Sequence, residues 1–249
     1  MKMWPKEHGA YAELALPLVA TFAASRPTVA GLGWAIAACA AFVAHEPLLV
    51  LLGHRGTRAR REGGPTARRW LAVTSTVALA AAAHAFTLAP AARPWMLVPA
   101  ALAAAAGVLV VMRRERTLGG EIVVGAALTS AALPTAIAGS LSAHDAIGVW
   151  IVFAASFALS TAEVRVIARR DLHPAPRVAV WCLTAAAAAA VLHFRPFLAI
   201  SLAPTLAVVT FMVVTRPRPA SLRRLGWLLV GASLMTTASA VAMVRVSAV

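Results

Sequence analysis

The stretch HEPLLVLLGHRGTRARREGGPTARRW, residues 45–70, decides how the rest of the chain is read. It holds six arginines, Arg55, Arg58, Arg60, Arg61, Arg68 and Arg69, between two long apolar runs. A loop this basic is costly to draw through a bilayer, so it marks the cytosolic side and orients the apolar segments flanking it. His45 and Glu46 precede the loop, inside an otherwise apolar run. Ionisable groups at membrane depth are expensive, which makes them functional candidates from the start.

Composition agrees with a membrane setting. Of 249 residues 61% are hydrophobic, and the mean hydropathy is +0.80, well above the apolar share of a soluble domain. The net charge of +14 does not indicate nucleic acid. The basic residues fall in short clusters between apolar runs of about 17–25 residues, the length that crosses a hydrocarbon core. Attraction to anionic lipid headgroups is a secondary consequence. Cys39 and Cys182 lie in separate apolar runs without CxxC spacing and read as small packing residues. Met1–His8 lacks an apolar run ending in a small-residue cleavage site, so the first segment is expected to be retained.

Nine spanning segments are expected: Ala10–Ser25, Thr28–Leu52, Arg69–Leu88, Pro94–Met112, Gly120–Gly139, Ala146–Ala168, Arg177–Phe194, Pro196–Val214 and Leu222–Val244. Their connections are short and punctuated by proline or glycine, as at Gly63-Gly64-Pro65 and Pro217-Arg218-Pro219. The expected fold is therefore an all-α polytopic membrane helical bundle, a single transmembrane domain over residues 1–249 with no room for a soluble domain. Charge tests the count separately from hydropathy. With nine segments and a cytosolic N-terminus, 18 lysines and arginines fall on the inner side and four (Arg26, Arg93, Arg195, Arg245) on the outer side. An extra or missing helix would move whole clusters to the wrong face. The expected setting is an inner, cytoplasmic membrane, with the N-terminus in the cytosol and the C-terminus outside.

Given that orientation, the ionisable residues within the segments gather toward the cytosolic boundary. His8 and Glu13 sit on the first turns of segment one, and His45 and Glu46 near the inner end of segment two. Glu121 opens segment five, while Glu163 and Arg165 lie about one turn from the inner end of segment six. Each alone is compatible with a side chain that snorkels to the headgroups. Together they suggest a polar cavity open to the cytosol. Two chemistries are open to this set. Histidine and glutamate from four helices are metal-ligand types, but no HExxH or ExxH pair is present, so no metal is assigned. Arginine is the other resource: Arg165, with Arg55 and the other loop arginines at 55–69 and with Arg169, Arg170 and Arg177, could grip a phosphate or diphosphate in bidentate fashion. A plain ion pair of Arg165 with Glu163 or Glu121 stands beside that reading.

Three short stretches carry a resemblance. Lys6-Glu7-His8-Gly9-Ala10-Tyr11, with Pro17 downstream, resembles the QHGAW…P opening of the YwiC-like family of bacterial membrane proteins. Glu115-Arg116-Thr117-Leu118-Gly119-Gly120-Glu121 resembles that family's ERxxxGE segment, and Phe157–Arg170 is similar to its segment ending in Val-Arg, here Val164-Arg165. A second resemblance is to the UbiA-type intramembrane prenyltransferases, which implies nine helices, a cytosolic N-terminus and a cavity opening inward. Gly120-Glu121 followed by Leu133-Pro134 and Gly139 looks like their GE…P…G helix, and Glu163–Arg170 lies where they carry NxxRDxxxD. This chain departs from that pattern at the chemistry. Its only aspartates are Asp145 and Asp171, with no DxxxD pair to hold the magnesium of a prenyl diphosphate.

Three functional readings follow. The first is a UbiA-like protein that binds an isoprenoid or another lipid-phosphate such as a phospholipid, either as a divergent prenyltransferase or without turnover. The second is a small-molecule or ion transporter, which would be expected to show an inverted repeat that this sequence lacks. The third is a non-catalytic metal-binding or haem-binding subunit with His8 and His45 as axial ligands. Residue pattern alone assigns no cofactor, no oligomeric state and no nucleic-acid partner.

Overall fold

The computed structural model describes residues 3–5, 8–169 and 174–246. All regular structure among them is helical. In chain order the helices are α1 (His8–Ala24), α2 (Val29–Leu51), α3 (Thr57–Leu88), α4 (Leu97–Val111), α5 (Leu118–Ser130), α6 (Ala132–Ala138), α7 (Ala143–Arg169), α8 (Pro174–Phe194), α9 (Pro196–Ala199), α10 (Ala203–Thr215) and α11 (Leu222–Val246). Seven stretches are long and apolar enough to cross a membrane, and α1 and α8 supply two shorter apolar helices. Taking α5 with α6 as one stretch, and α9 with α10 as another, these are the nine segments expected from hydropathy.

Proline sets the breaks inside those two composite segments. Pro134 lacks the N–H that would bond the Ser130 carbonyl, and the helix interrupts between Ser130 and Ala132. Pro204 likewise leaves the Ile200 carbonyl without its donor, and Ile200–Leu202 tightens into a 3₁₀ turn between α9 and α10. Pro65 behaves otherwise. The sequence suggested a loop running up to Arg68, yet α3 is continuous from Thr57 through Gly63, Gly64 and Pro65. Helix-favouring Arg and Ala flank the turn, Arg58 bonds Glu62 one turn on at 2.8 Å, and Gly63, Gly64 and Ala67 are buried. Packing there outweighs the local cost of proline and glycine. At 32 residues, α3 is about 48 Å long, well beyond a bilayer core of about 30 Å, so its basic first third projects from the membrane.

Side-chain caps fix several starts. Thr28 and Thr117 accept from Gly31 N–H and Gly120 N–H at 3.0 and 3.1 Å. Ser142 accepts the Asp145 N–H at 3.1 Å while donating its hydroxyl to the Asp145 carboxylate at 2.5 Å, a reciprocal cap before α7.

The core is built on α7. Its Val149, Val152, Phe153 and Ala155 pack with Ala20 of α1, Val191 of α8, Leu198 of α9 and Ala240 and Val244 of α11. One turn further along, Ala158, Leu159 and Ala162 meet Val180 of α8 and Val209 of α10. More than half of the α7 span is buried, against 6% for the span containing α4. Helices α3 and α4 therefore sit at the periphery, with Val73, Leu79, Leu97 and Val111 turned outward as lipid would require.

Contacts between helix ends sort into two sets. In one, Arg26 N–H donates to Gly139 O at 3.2 Å, Thr28 Oγ1 to Ala138 O at 3.1 Å, Arg195 meets Asp145 at 2.9 Å, and Arg245 donates to Ala23 O at 2.6 Å. The other set joins Glu46 to Arg55, His54 to Glu115, Glu121 to Arg165 and Glu163 to Arg177. Alternating spans put these sets at opposite ends of the bundle, in the arrangement that the charge count requires. Reporter fusions after Arg61 and after Arg93 are expected to lie on opposite sides of the membrane. The same side for both would reject this order of spans.

Candidate functional site at the basic ends of the helices

Glu46 lies in the last two turns of α2 beside Pro47 and is 1% exposed. Gly53 and Gly56, with φ of 77° and 93°, turn the chain sharply after α2, a left-handed geometry natural only to glycine. That turn folds Arg55 back onto Glu46. The guanidinium donates through Nε to Oε1 at 2.9 Å and through Nη2 to Oε2 at 2.5 Å, a bidentate pair of the strongest kind. His54, in the same turn, places Nδ1 3.9 Å from Oε1 of Glu115 in the α4–α5 turn. His45 is half-buried on the adjoining position of α2.

On the neighbouring helices, Arg165 of α7 reaches Glu121 of α5 through Nη1 at 2.5 Å. Its Nε is buried with no hydrogen-bond partner among the described residues. One turn above Glu121, Gly125 leaves room for Glu13 of α1, whose Oε2 lies 3.3 Å from where a Cβ would stand. Glu13, Glu121 and Arg165 thus gather where α1, α5 and α7 meet. Glu163 does not join them. Two residues apart on a helix is a rotation of about 200°, and Glu163 faces α8, accepting from Arg177 Nε at 2.7 Å and Trp181 Nε1 at 2.9 Å. The side chains of His8 and Arg169 lie outside the described residues.

Of the two carboxylates that the sequence offers to Arg165, Glu121 is the one that it pairs with. The sequence offered Arg177 only as a loop arginine for an anion, and the pairing of Glu163 with Arg177 and Trp181 was not expected from it. Trp181 carries no charge, and both partners lie on α8 rather than on the helix of Glu163, so only the packing of α7 against α8 brings them together. His54 and Glu115 were missed as a pair because only the packing of two turns brings them together. Among the described residues no three His, Cys, Asp or Glu side chains converge to hold a metal.

A concave groove lies between the end of α2 and the basic start of α3. It has a volume of about 780 Å³ and is lined by Arg60, Arg61 and Arg68 with Leu51, Gly64 and Pro65. The α3 residues recur at helical spacing, so they form one stripe on one face. Arg60, Arg61 and Arg68 have no acidic partner among the described residues. Beside the groove, the N-terminal segment packs Met3 with Val50 and Ala67, and Trp4 meets Trp70 edge-on at 6.2 Å. Both tryptophans are exposed, where an aromatic belt would mark the headgroup level.

Comparison with known proteins gives one family. The family model for YwiC-like protein matches residues 4–137, from the N-terminal segment through α6, including the His8-Gly9-Ala10-Tyr11 and Glu115–Glu121 motifs. No curated protein matches, and no solved structure matches. The match covers more than half of the chain and contains the α2–α3 turn, the Arg-lined groove and Glu121, and the chain belongs to the YwiC-like family.

Proposed function

We propose that this protein binds an anionic lipid-phosphate, of isoprenoid or phospholipid type, at the cytosolic ends of its helices. Arginine neutralises the headgroup there, in place of the aspartate-held magnesium of UbiA-type prenyltransferases. One observation carries the reading. The inner carboxylates Glu46, Glu121 and Glu163 are each already matched by an arginine, whereas Arg60, Arg61 and Arg68 line a groove with no acid of their own. Their charge is available to a ligand, and the apolar outer face of α3 continues from the groove toward lipid. Planar guanidinium groups suit phosphate oxygens, and they stabilise charge on a departing diphosphate without a metal, which leaves a divergent transferase chemically feasible.

A second reading moves the headgroup deeper, between α5 and α7. The buried Nε of Arg165 lacks an acceptor, and Glu121, its partner at Nη1, is 35% exposed, so a ligand oxygen arriving there would complete the guanidinium's bonding.

Binding of farnesyl diphosphate to the purified full-length protein separates these readings. It is expected to survive EDTA and to weaken on the order of thirtyfold in Arg60→Ala/Arg61→Ala/Arg68→Ala, about 2 kcal/mol from three partly exposed contacts. Binding that vanishes with EDTA, or that is unchanged in the triple variant and in a stably folded Arg165→Ala protein, rejects the proposal. Loss confined to Arg165→Ala, with unfolding measured alongside, moves the headgroup to the α5–α7 position.

A further inference from the structure

The C-terminal third of the chain has an unusual charge balance. No aspartate or glutamate follows Asp171, yet seven arginines do. Three of these have acceptors elsewhere in the fold: Arg177 on Glu163, Arg195 on Asp145 and Arg245 on the Ala23 carbonyl. The other four, Arg216, Arg218, Arg223 and Arg224, crowd into the turn between α10 and α11, and among the described residues none has an acidic partner.

This turn is held in shape. Arg216 ends α10 in the left-handed region at φ 45°. Ser221 donates its hydroxyl to the Arg218 carbonyl at 2.6 Å across the 3₁₀ turn Pro219–Ser221. Arg218 is thereby brought back against the start of α11, and a groove of about 590 Å³ forms between it, Ser221, Arg223, Arg224 and Trp227. Arg223 and Trp227 are one helical turn apart and so share a face. Trp227 is 69% exposed, and below it Val230 and Leu234 are also exposed, at intervals of three and four residues along the same side of α11. The opposite side of that helix, through Leu225, Ala232, Thr236 and Ala240, is buried in the bundle.

We propose that this groove is a binding site for an anionic phospholipid. The arginines hold the phosphate, Trp227 sits at the level of the glycerol backbone, and an acyl chain lies along Val230 and Leu234. The two-part chemistry favours a lipid over a soluble anion: the cation cluster opens directly onto an apolar track facing away from the protein, which a free phosphate would not use. The site is separate from the α3 groove and does not depend on the reading given to that groove.

Native mass spectrometry of the full-length protein in detergent, with phosphatidylglycerol or phosphatidylcholine added, tests it. Phosphatidylglycerol is expected to be retained in preference to phosphatidylcholine. Retention should fall about tenfold in Arg218→Gln/Arg223→Gln/Arg224→Gln, since each arginine near an anionic surface contributes favourably, while farnesyl diphosphate binding stays at its wild-type level. Arg223→Lys/Arg224→Lys should keep most of the retention. In the wild type, salt at about 0.5 M, with a screening length of roughly 4 Å, should reduce it. Equal retention of the two lipids, insensitivity to salt, or a triple glutamine variant that holds phosphatidylglycerol as wild type does would overturn the proposal. Glycerol phosphate competing as well as the intact lipid would show a site for soluble phosphate and overturn the lipid assignment.

Discussion

Arg55→Ala is expected to lower stability by about 3–5 kcal/mol, the cost of leaving a buried carboxylate without its counter-charge. Glu46 is 1% exposed and both of its oxygens are engaged by Arg55, at 2.9 and 2.5 Å. Without the guanidinium, the buried carboxylate loses the donors of both its oxygens, and the turn that starts α3 loses the contact that folds it back onto α2. The pair costs desolvation on both sides, so removing both charges is less damaging than removing one, and Glu46→Leu/Arg55→Leu should regain most of the loss. Arg58→Ala serves as the contrast, because Arg58 and Glu62 form an exposed i, i+4 pair whose removal should leave the melting temperature nearly unchanged. Thermal unfolding of the purified proteins in one detergent decides the matter. An Arg55→Ala protein that melts with the wild type would mean that the pair is no more than a surface bridge.

The second large effect is expected at Gly120. A Cβ there would run into the Arg114 carbonyl and come within 2.9 Å of Glu115 Cα, and these are backbone atoms with nowhere to turn. The α4–α5 turn would have to open, at a cost above about 3 kcal/mol, the upper range of an overpacked core. The displacement acts on the neighbouring chemistry, since Glu115 holds the contact with His54 and Glu121 the one with Arg165. Gly119 gives an internal control. Nothing lies within 4 Å of a Cβ at that position, so Gly119→Ala should be neutral, or stabilising by up to about 1 kcal/mol through helix propensity. Size-exclusion profiles of detergent extracts should show a folded peak for Gly119→Ala and little or none for Gly120→Ala. Equal peaks with equal melting temperatures would disprove the close approach.

How much of this was legible beforehand follows from where each feature gets its energy. Hydropathy and the basic clusters determine the number of spans and their alternation by themselves. A bilayer requires every spanning backbone group to bond within its own helix, and that leaves a local signature in composition. The caps at Thr28, Thr117 and Ser142 are equally local, whereas proline alone does not determine the interruptions at Ser130 and Ile200, because α1, α2 and α3 run on through Pro17, Pro47 and Pro65. The concentration of Glu46, Glu121, Glu163 and Arg165 at one end of the bundle also follows from counting along the spans.

What the tertiary structure alone decided is which of these groups meet. Glu163 and Arg165 are near neighbours in sequence, yet the helical rotation between them sends one to Arg177 and Trp181 on α8 and the other to Glu121 on α5. The continuation of α3 through Gly63-Gly64-Pro65 was likewise invisible, because it rests on the burial of Gly63, Gly64 and Ala67 rather than on their propensities. Without that continuation Arg60, Arg61 and Arg68 would be loop residues with no common face. Helical periodicity aligns them over one groove, and only packing against the end of α2 keeps the helix that carries them intact.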